Sequence, residues 1–372
     1  MSGPRGLLAR LSRISSSGRF IPEIDGLRFI AITAVVLHHV ATFIVMKTGV
    51  IPSHDRLYMV VNQGFFGVQL FFVISGFILA LPFAESRLQG APGVPLGRYF
   101  GRRLTRLEPP YAINLLLLFA WLILRNGRSF SDLWPSLLAS LAYVHAPVFS
   151  HGSYINPVAW SLEIEVQFYL LAPLLCSVFA LRKTAVRRTV LVGVMLLSSV
   201  ANEAFPSKPG FIHRSLPGHL HYFLLGLLLA DWYLVEGARG LARRSRWDLL
   251  GLLCWCGIGV GLIKVGTPRT LLLPLILIAY MSAFRGRLTN TILGLPLLTT
   301  IGGMCYTIYL YHNFLIHEIG AWTWRLQRPE DPFWRTFVVQ GTLLSVAVLA
   351  ICTVLFAFLE RPFMRPKWWK RA

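Results

Sequence analysis

The chain has 372 residues, 55% of them hydrophobic and only 14% charged, with a mean hydropathy of +0.59. These values exclude an ordinary water-soluble domain and describe a polytopic membrane protein whose length is taken up by spans and short loops. The formal charge of +20 is distributed as small basic groups between apolar runs, the pattern of cytoplasmic loops facing anionic lipid; a groove-tracking basic stripe is missing, which argues against nucleic acid as a partner.

Residues 1–20 are basic and Ser-rich, and a full-length span follows them rather than a short apolar region with a cleavage site, so they are expected to form a cytoplasmic tail. Ten apolar segments come next: Leu27–Met46, Tyr58–Pro82, Leu107–Leu124, Pro157–Leu181, Val190–Phe205, Leu216–Val235, Leu249–Lys264, Leu271–Phe284, Leu298–Ile319 and Thr336–Leu359. An eleventh, Leu133–Phe149, is short, with His145, Pro147 and His151 crowding its end. If it spans, the basic loop Arg182–Arg188 and every later one falls outside. If it is re-entrant or interfacial, nearly every basic cluster and both termini fall inside, and that arrangement satisfies the positive-inside rule. The expected fold is therefore all-α, about ten transmembrane helices with both termini cytoplasmic: a tail over 1–20, a membrane-embedded domain over 21–360 and a second basic tail over 361–372. The five cysteines all lie in apolar segments and form no CxxC pair, so packing is expected of them and no metal site is assigned.

Several polar groups are misplaced for a simple anchor. The first span carries Arg28 at its first turn and His38 and His39 in its middle. Eleven residues separate Arg28 from His39, which returns them to within about 20° of one helix face and sets them roughly 16 Å apart along the axis. Ionisable groups at such depth face a protein interior or wet cavity. A neutral imidazole there can act as a general base towards a hydroxyl, or can simply hydrogen-bond a neighbouring helix. His38 points about 100° away, where the second role fits better.

In Arg102-Arg103-Leu104-Thr105-Arg106, Arg103 and Arg106 share a face at a helix entrance, suited to gripping a di- or polyphosphate, although a basic group there also serves as an orientation anchor. Two carboxylates, Glu163 and Glu165, stand inside the fourth span. Glu165 has Ser161 and Tyr169 at i−4 and i+4, whereas Glu163 has Gln167 at i+4; they lie on separate faces, and the residues alone do not choose between them. The small residues of Gly64-Phe65-Phe66-Gly67 and of Ser75-Gly76 suit close helix approach. The tyrosines around Tyr309 and His312 fit either catalytic lining or an interfacial belt, a belt or packing being the expected reading, and Glu360-Arg361-Pro362 reads as an ion pair and helix stop.

Taken together these stretches resemble the acyltransferase-3 family of membrane acyltransferases, which O-acylate bacterial surface sugars, antibiotics and related molecules. The matching motifs, in the family's order over nearly the whole chain, are I-D-G-L-R with the Arg28–His39 spacing, G-V-x-L-F-F-V-I-S-G-F, R-R-x-x-R-x-x-P-x-Y, W-S-L-x-x-E-x-Q-F-Y, Y-x-x-Y-L-x-H and E-R-P-F. The resemblance implies a multi-pass enzyme of the bacterial cytoplasmic (inner) membrane. Such an enzyme takes an acyl group, acetyl by expectation, from acyl-coenzyme A (acyl-CoA) as donor co-substrate and places it on a hydroxyl of a carbohydrate or related acceptor. No bound cofactor is implied; the partners are the donor, the acceptor and membrane lipid. His39 would be the catalytic base, Arg28, Arg103 and Arg106 the donor-binding residues, and Glu165 the catalytic carboxylate, leaving Glu163 a structural role. Ser75 and Ser161 stand as nucleophiles for an acyl-enzyme route beside direct transfer. Many members carry an acidic residue where this chain has Gln69, and some carry a fused extracytoplasmic hydrolase-like domain, which is not expected here. A different class, a proton-coupled secondary transporter or acyl-group exporter, would use the same buried His and Glu as a proton relay, but no paired, Gly/Pro-broken spans repeat between the halves.

Overall fold

A computed structural model describes residues 11, 13–14, 20–205, 212, 214–237, 242–264, 266–328 and 330–365. The expected tails over 1–20 and 361–372 lie largely outside these residues. All regular structure among the described residues is helical, without strands. Among the described residues seven helices are long and apolar enough to cross a membrane, or eight if the bent pair Arg269–Arg285 and Arg287–Leu293, which turns by 84°, is one span. Leu124 and Phe358, on two of these helices, are 85% and 74% exposed. Outward apolar faces of this kind belong in hydrocarbon rather than water, and the chain is a multi-pass membrane protein.

The chain divides into two compact units. The first comprises Met1–Val68 with Leu293–Ala372. Its centre is α1 (Pro22–Thr48), which starts with Pro22 in its first turn and Glu23 and Asp25 complementing the helix dipole, and stops at Gly49, whose φ of +69° is the left-handed cap. Around α1 pack a short helix α2 (Arg56–Val61), a 3-10 turn over Asn62–Phe66, and three further helices, labelled α13–α15 in chain order: α13 (Pro296–Gly303), α14 (Cys305–Thr323) and α15 (Phe333–Leu355). Two close approaches fix the packing. A Cβ on Gly64 or Gly67 would collide with the carbonyls of Ala34 and Ala31, and one on Gly302 with the carbonyl of Asp25. The segment expected as one span over Leu298–Ile319 is broken at Met304, between α13 and α14. Glu360, expected to pair with Arg361, accepts hydrogen bonds from the amide and hydroxyl of Thr307 at 3.1 and 2.5 Å, satisfying the first turn of α14.

The second unit is Gln69–Ile292. It holds most of α3 (Gly67–Leu88), then α4 (Leu96–Asn126), α5 (Phe130–Leu141), α6 (His145–Phe149), α7 (Trp160–Leu175), α8 (Thr184–Ala204), α9 (Leu216–Val235), α10 (Ser245–Ile263), α11 (Leu272–Arg285) and α12 (Arg287–Leu293). Gly76 and Gly226 let α3 and α9 cross backbone to backbone: a Cβ on the first would strike the Phe223 carbonyl, and on the second the backbone around Val73 and Phe77. The region in question around 133–149 forms two short helices. The longer, α5, has 12 residues and so rises about 18 Å, less than the roughly 30 Å of a hydrocarbon core. The basic run Arg182–Arg188 is partly helical and partly consumed: fully buried Arg187 donates to Asp231 and to the Leu181 carbonyl, and Arg188 donates to the other Asp231 oxygen at 2.7 Å. All five cysteines are free, three of them buried.

Removing one partner of a buried ion pair leaves an uncompensated charge, a cost of about 3–5 kcal/mol. Asp231→Ala is expected to lower the thermal unfolding midpoint of detergent-purified protein markedly. An unchanged midpoint would contradict the role assigned to Asp231 in tying α8 to α9.

Candidate active site

The polar residues singled out by sequence fall into separate clusters, Arg28 and His39 in the first unit and Arg103, Arg106 and Glu165 in the second. At the start of α1, Arg28 donates to the buried Asp25 carboxylate at 2.5 Å, and Arg13 reaches the same oxygen at 3.3 Å. Two guanidinium groups thus share one carboxylate oxygen, and Glu23 stands in the same first turn of α1. Arg28 itself is half-buried.

Midway along α1, His38 and His39 part company as their helical directions require. His38 hydrogen-bonds the backbone of Asn62 and lies edge-on to Phe65, at 5.8 Å between ring centroids. It ties α1 to the 3-10 turn. Half-buried His39 faces α14, with its ring centroid 4.8 Å from that of His312. His312 is wholly buried, which corrects its reading as part of an aromatic belt. The signal was present: Ile308, His312, Ile316 and Gly320 repeat every four residues and are all buried, so His312 occupies an inward stripe of its helix.

In the second unit α7 carries both carboxylates. Asn156 caps the turn before it, accepting from the Val158 amide and donating to Asn114 of α4 at 2.8 Å. Glu163 is 1% exposed and accepts the Ala146 amide at 3.0 Å, so it stabilises α6. Glu165, on another face, accepts a hydrogen bond from the Ser75 hydroxyl at 2.5 Å and one from Tyr169, one turn further on. The Arg103 guanidinium lies over two rings, 5.9 Å from the centroid of Tyr99 and 5.7 Å from that of Tyr169, and the Tyr99 hydroxyl donates to the Tyr169 carbonyl. Ser75, Glu165, Tyr169, Arg103 and Tyr99 therefore form one connected group. Arg103 and Glu165, on different spans, are thus linked through the one residue Tyr169. Arg106 is half-buried three residues beyond Arg103.

Beside this group a cleft of about 650 Å³ is lined by Phe83, Arg87, Pro95, Leu96, Pro173 and Cys176, among others. Its Phe83 touches the Tyr99 ring at 5.5 Å, so the cleft adjoins the Arg103 stack. The volume is within the range of small-ligand sites, about 300–1,000 Å³. A guanidinium stacked on aromatic faces keeps its edge N–H groups for bidentate bonds to an anion.

No solved structure matches the chain. Among curated proteins it is 24% identical over 377 residues to the peptidoglycan O-acetyltransferase OatA of Listeria monocytogenes, a match covering 94% of this chain and 56% of that protein. It is 22% identical over 375 residues to the O-acetyltransferase OatA of Staphylococcus aureus, covering 94% and 58% respectively. The chain thus spans little more than half the length of these relatives. The family model described as an acyltransferase domain matches residues 21–359, from the start of α1 to the end of the last span, and the chain belongs to that acyltransferase family.

Proposed function

We propose that the chain is an O-acetyltransferase of the bacterial cytoplasmic membrane that moves an acetyl group from acetyl-coenzyme A to a hydroxyl of a cell-wall carbohydrate, peptidoglycan being the first acceptor to test. The observation that carries this reading is His39: a half-buried imidazole midway along a 27-residue apolar helix, against a second, buried imidazole. A neutral histidine in such surroundings removes a hydroxyl proton without burying a permanent charge.

The other residues take roles consistent with their surroundings. In the second unit Arg103 and Arg106 are suited to the donor's phosphates, and the cleft beside Tyr99 is of a size to receive part of the donor. Glu165, held by Ser75 and Tyr169, orients or charges the reaction centre. Ser75 donates its hydroxyl to Glu165, a contact between a hydroxyl and a base, so an acyl-serine route stands beside direct transfer to the acceptor. Counting α9 and the α13–α14 pair as crossings gives ten, which places both termini and most basic clusters in the cytoplasm as the positive-inside rule requires.

Thiol release from acetyl-coenzyme A, with a muramic-acid-containing glycan as acceptor, tests the assignment. His39→Ala is expected to lower the rate by about 10²–10⁴-fold, the usual contribution of a general base, while the protein still inserts. His38→Ala, which loses a helix contact, is expected to cost far less. Equal losses would contradict the assignment of the base to His39.

A further inference from the structure

The two ring nitrogens of His312 are used differently. Its Nδ1 lies 2.8 Å from the carbonyl oxygen of Tyr309 and 3.0 Å from that of Ile308. Carbonyl oxygens only accept, so Nδ1 carries the proton and donates. In the neutral ring this leaves Nε2 as a bare acceptor, and that nitrogen is buried with no hydrogen-bond partner among the described residues. A buried acceptor left unpaired costs about 1–3 kcal/mol, and such groups in native structures call for a functional explanation. The nearest imidazole supplies one. In the structure the two rings meet edge-on, 61° between planes and 4.8 Å between centroids, without a hydrogen bond between them. An N–H···N bond of about 2.9 Å between two five-membered rings separates their centroids by roughly 5 Å, so a turn of the His39 ring, without closer approach, would supply the donor.

We propose that His312 is a positioning residue for His39: its Nε2 accepts the N–H of the His39 imidazole and so turns the other His39 nitrogen, as a lone pair, towards the acceptor hydroxyl. The inference rests on His39 being the base. The transfer then balances without an added reagent. The acceptor O–H breaks and a new N–H forms on His39; the acceptor oxygen attacks the thioester carbonyl carbon; the C–S bond breaks, and the leaving thiolate takes the proton from His39. Throughout, His312 stays neutral and holds the remaining His39 N–H. A carboxylate does the same for the histidine of a Ser-His-Asp triad, but here the orienting group adds no charge at membrane depth, where charge is expensive.

The test compares wild type, H39A, H312F and H312Q in detergent-purified protein. It measures thiol release from acetyl-coenzyme A, ester formation on the muramic-acid-containing glycan, and thermal unfolding. Phe fills the space of His312 without an acceptor, whereas the Gln side-chain oxygen restores one where Nε2 stood. H312F is expected to lower kcat about 100-fold with the donor KM within about twofold and the unfolding midpoint unchanged, and H312Q to recover at least about a third of the lost rate. Wild-type kcat in H312F while H39A is inactive overturns this inference alone. Equal kcat losses in H312F and H312Q, with or without a fall in thermal stability, also overturn it, because the acceptor atom would then not matter. A fully active H39A, or a wild type that transfers nothing, overturns the assignment of the base on which the inference rests.

Discussion

The structure depends on one constraint: a polar group carried into an apolar helix must find a partner inside the protein, because hydrocarbon offers none. The buried acids obey it. Asp25 is met by Arg28 and Arg13, Asp231 by Arg187 and Arg188, Glu163 by the Ala146 amide and Glu360 by Thr307. Apart from the Asp25–Arg28 pair within α1, these pairings join separate pieces of chain, so the groups that look most costly in the sequence fix the packing of the helices that carry them. Glu165, half-buried, follows the same pattern with Ser75 and Tyr169. Against this background an imidazole nitrogen with nothing to accept, beside a half-exposed second imidazole, marks a place where the fold accepts a cost for the sake of chemistry.

Glycine provides the complementary device. Carbonyls of α1 lie against Gly64, Gly67 and Gly302, and α3 crosses α9 at Gly76 and Gly226. With little hydrophobic drive between helices in lipid, packing comes from backbones brought close together. In the first unit this closeness holds α1 in one orientation, with His38 turned to the 3-10 turn and His39 turned to α14. The same helix that anchors the unit thereby aims the proposed base.

Much of this was legible in the sequence. The long apolar runs announced the all-helical membrane fold, and helical arithmetic separated His39 from His38 and Glu165 from Glu163. The motif order pointed to an acyltransferase, and the family match over 21–359 supports an enzyme rather than a transporter. What was missed depended on tertiary contacts. Arg103 and Arg106 read as the entrance of a helix, and α4 begins earlier, at Leu96, but the Tyr169 ring that Arg103 meets is 66 residues away and no local pattern connects them. The helix break at Met304 was hidden inside an unbroken apolar run. For His312 the flanking tyrosines favour a belt or packing over catalytic lining, and only the four-residue stripe from Ile308 to Gly320 shows that it faces inward. Arg187 looked like an orientation charge, whereas its partner Asp231 lies 44 residues away and no local pattern connects them.

The central claim is that His39 stands at the reacting bond. An experimentally determined structure with a non-reactive thioether analogue of acetyl-coenzyme A tests it most directly. The account predicts the analogue's acyl carbon beside the His39 imidazole, with room for one hydroxyl between them and each reacting pair about 3–3.5 Å apart. An analogue bound with its acyl end far from α1 would contradict it.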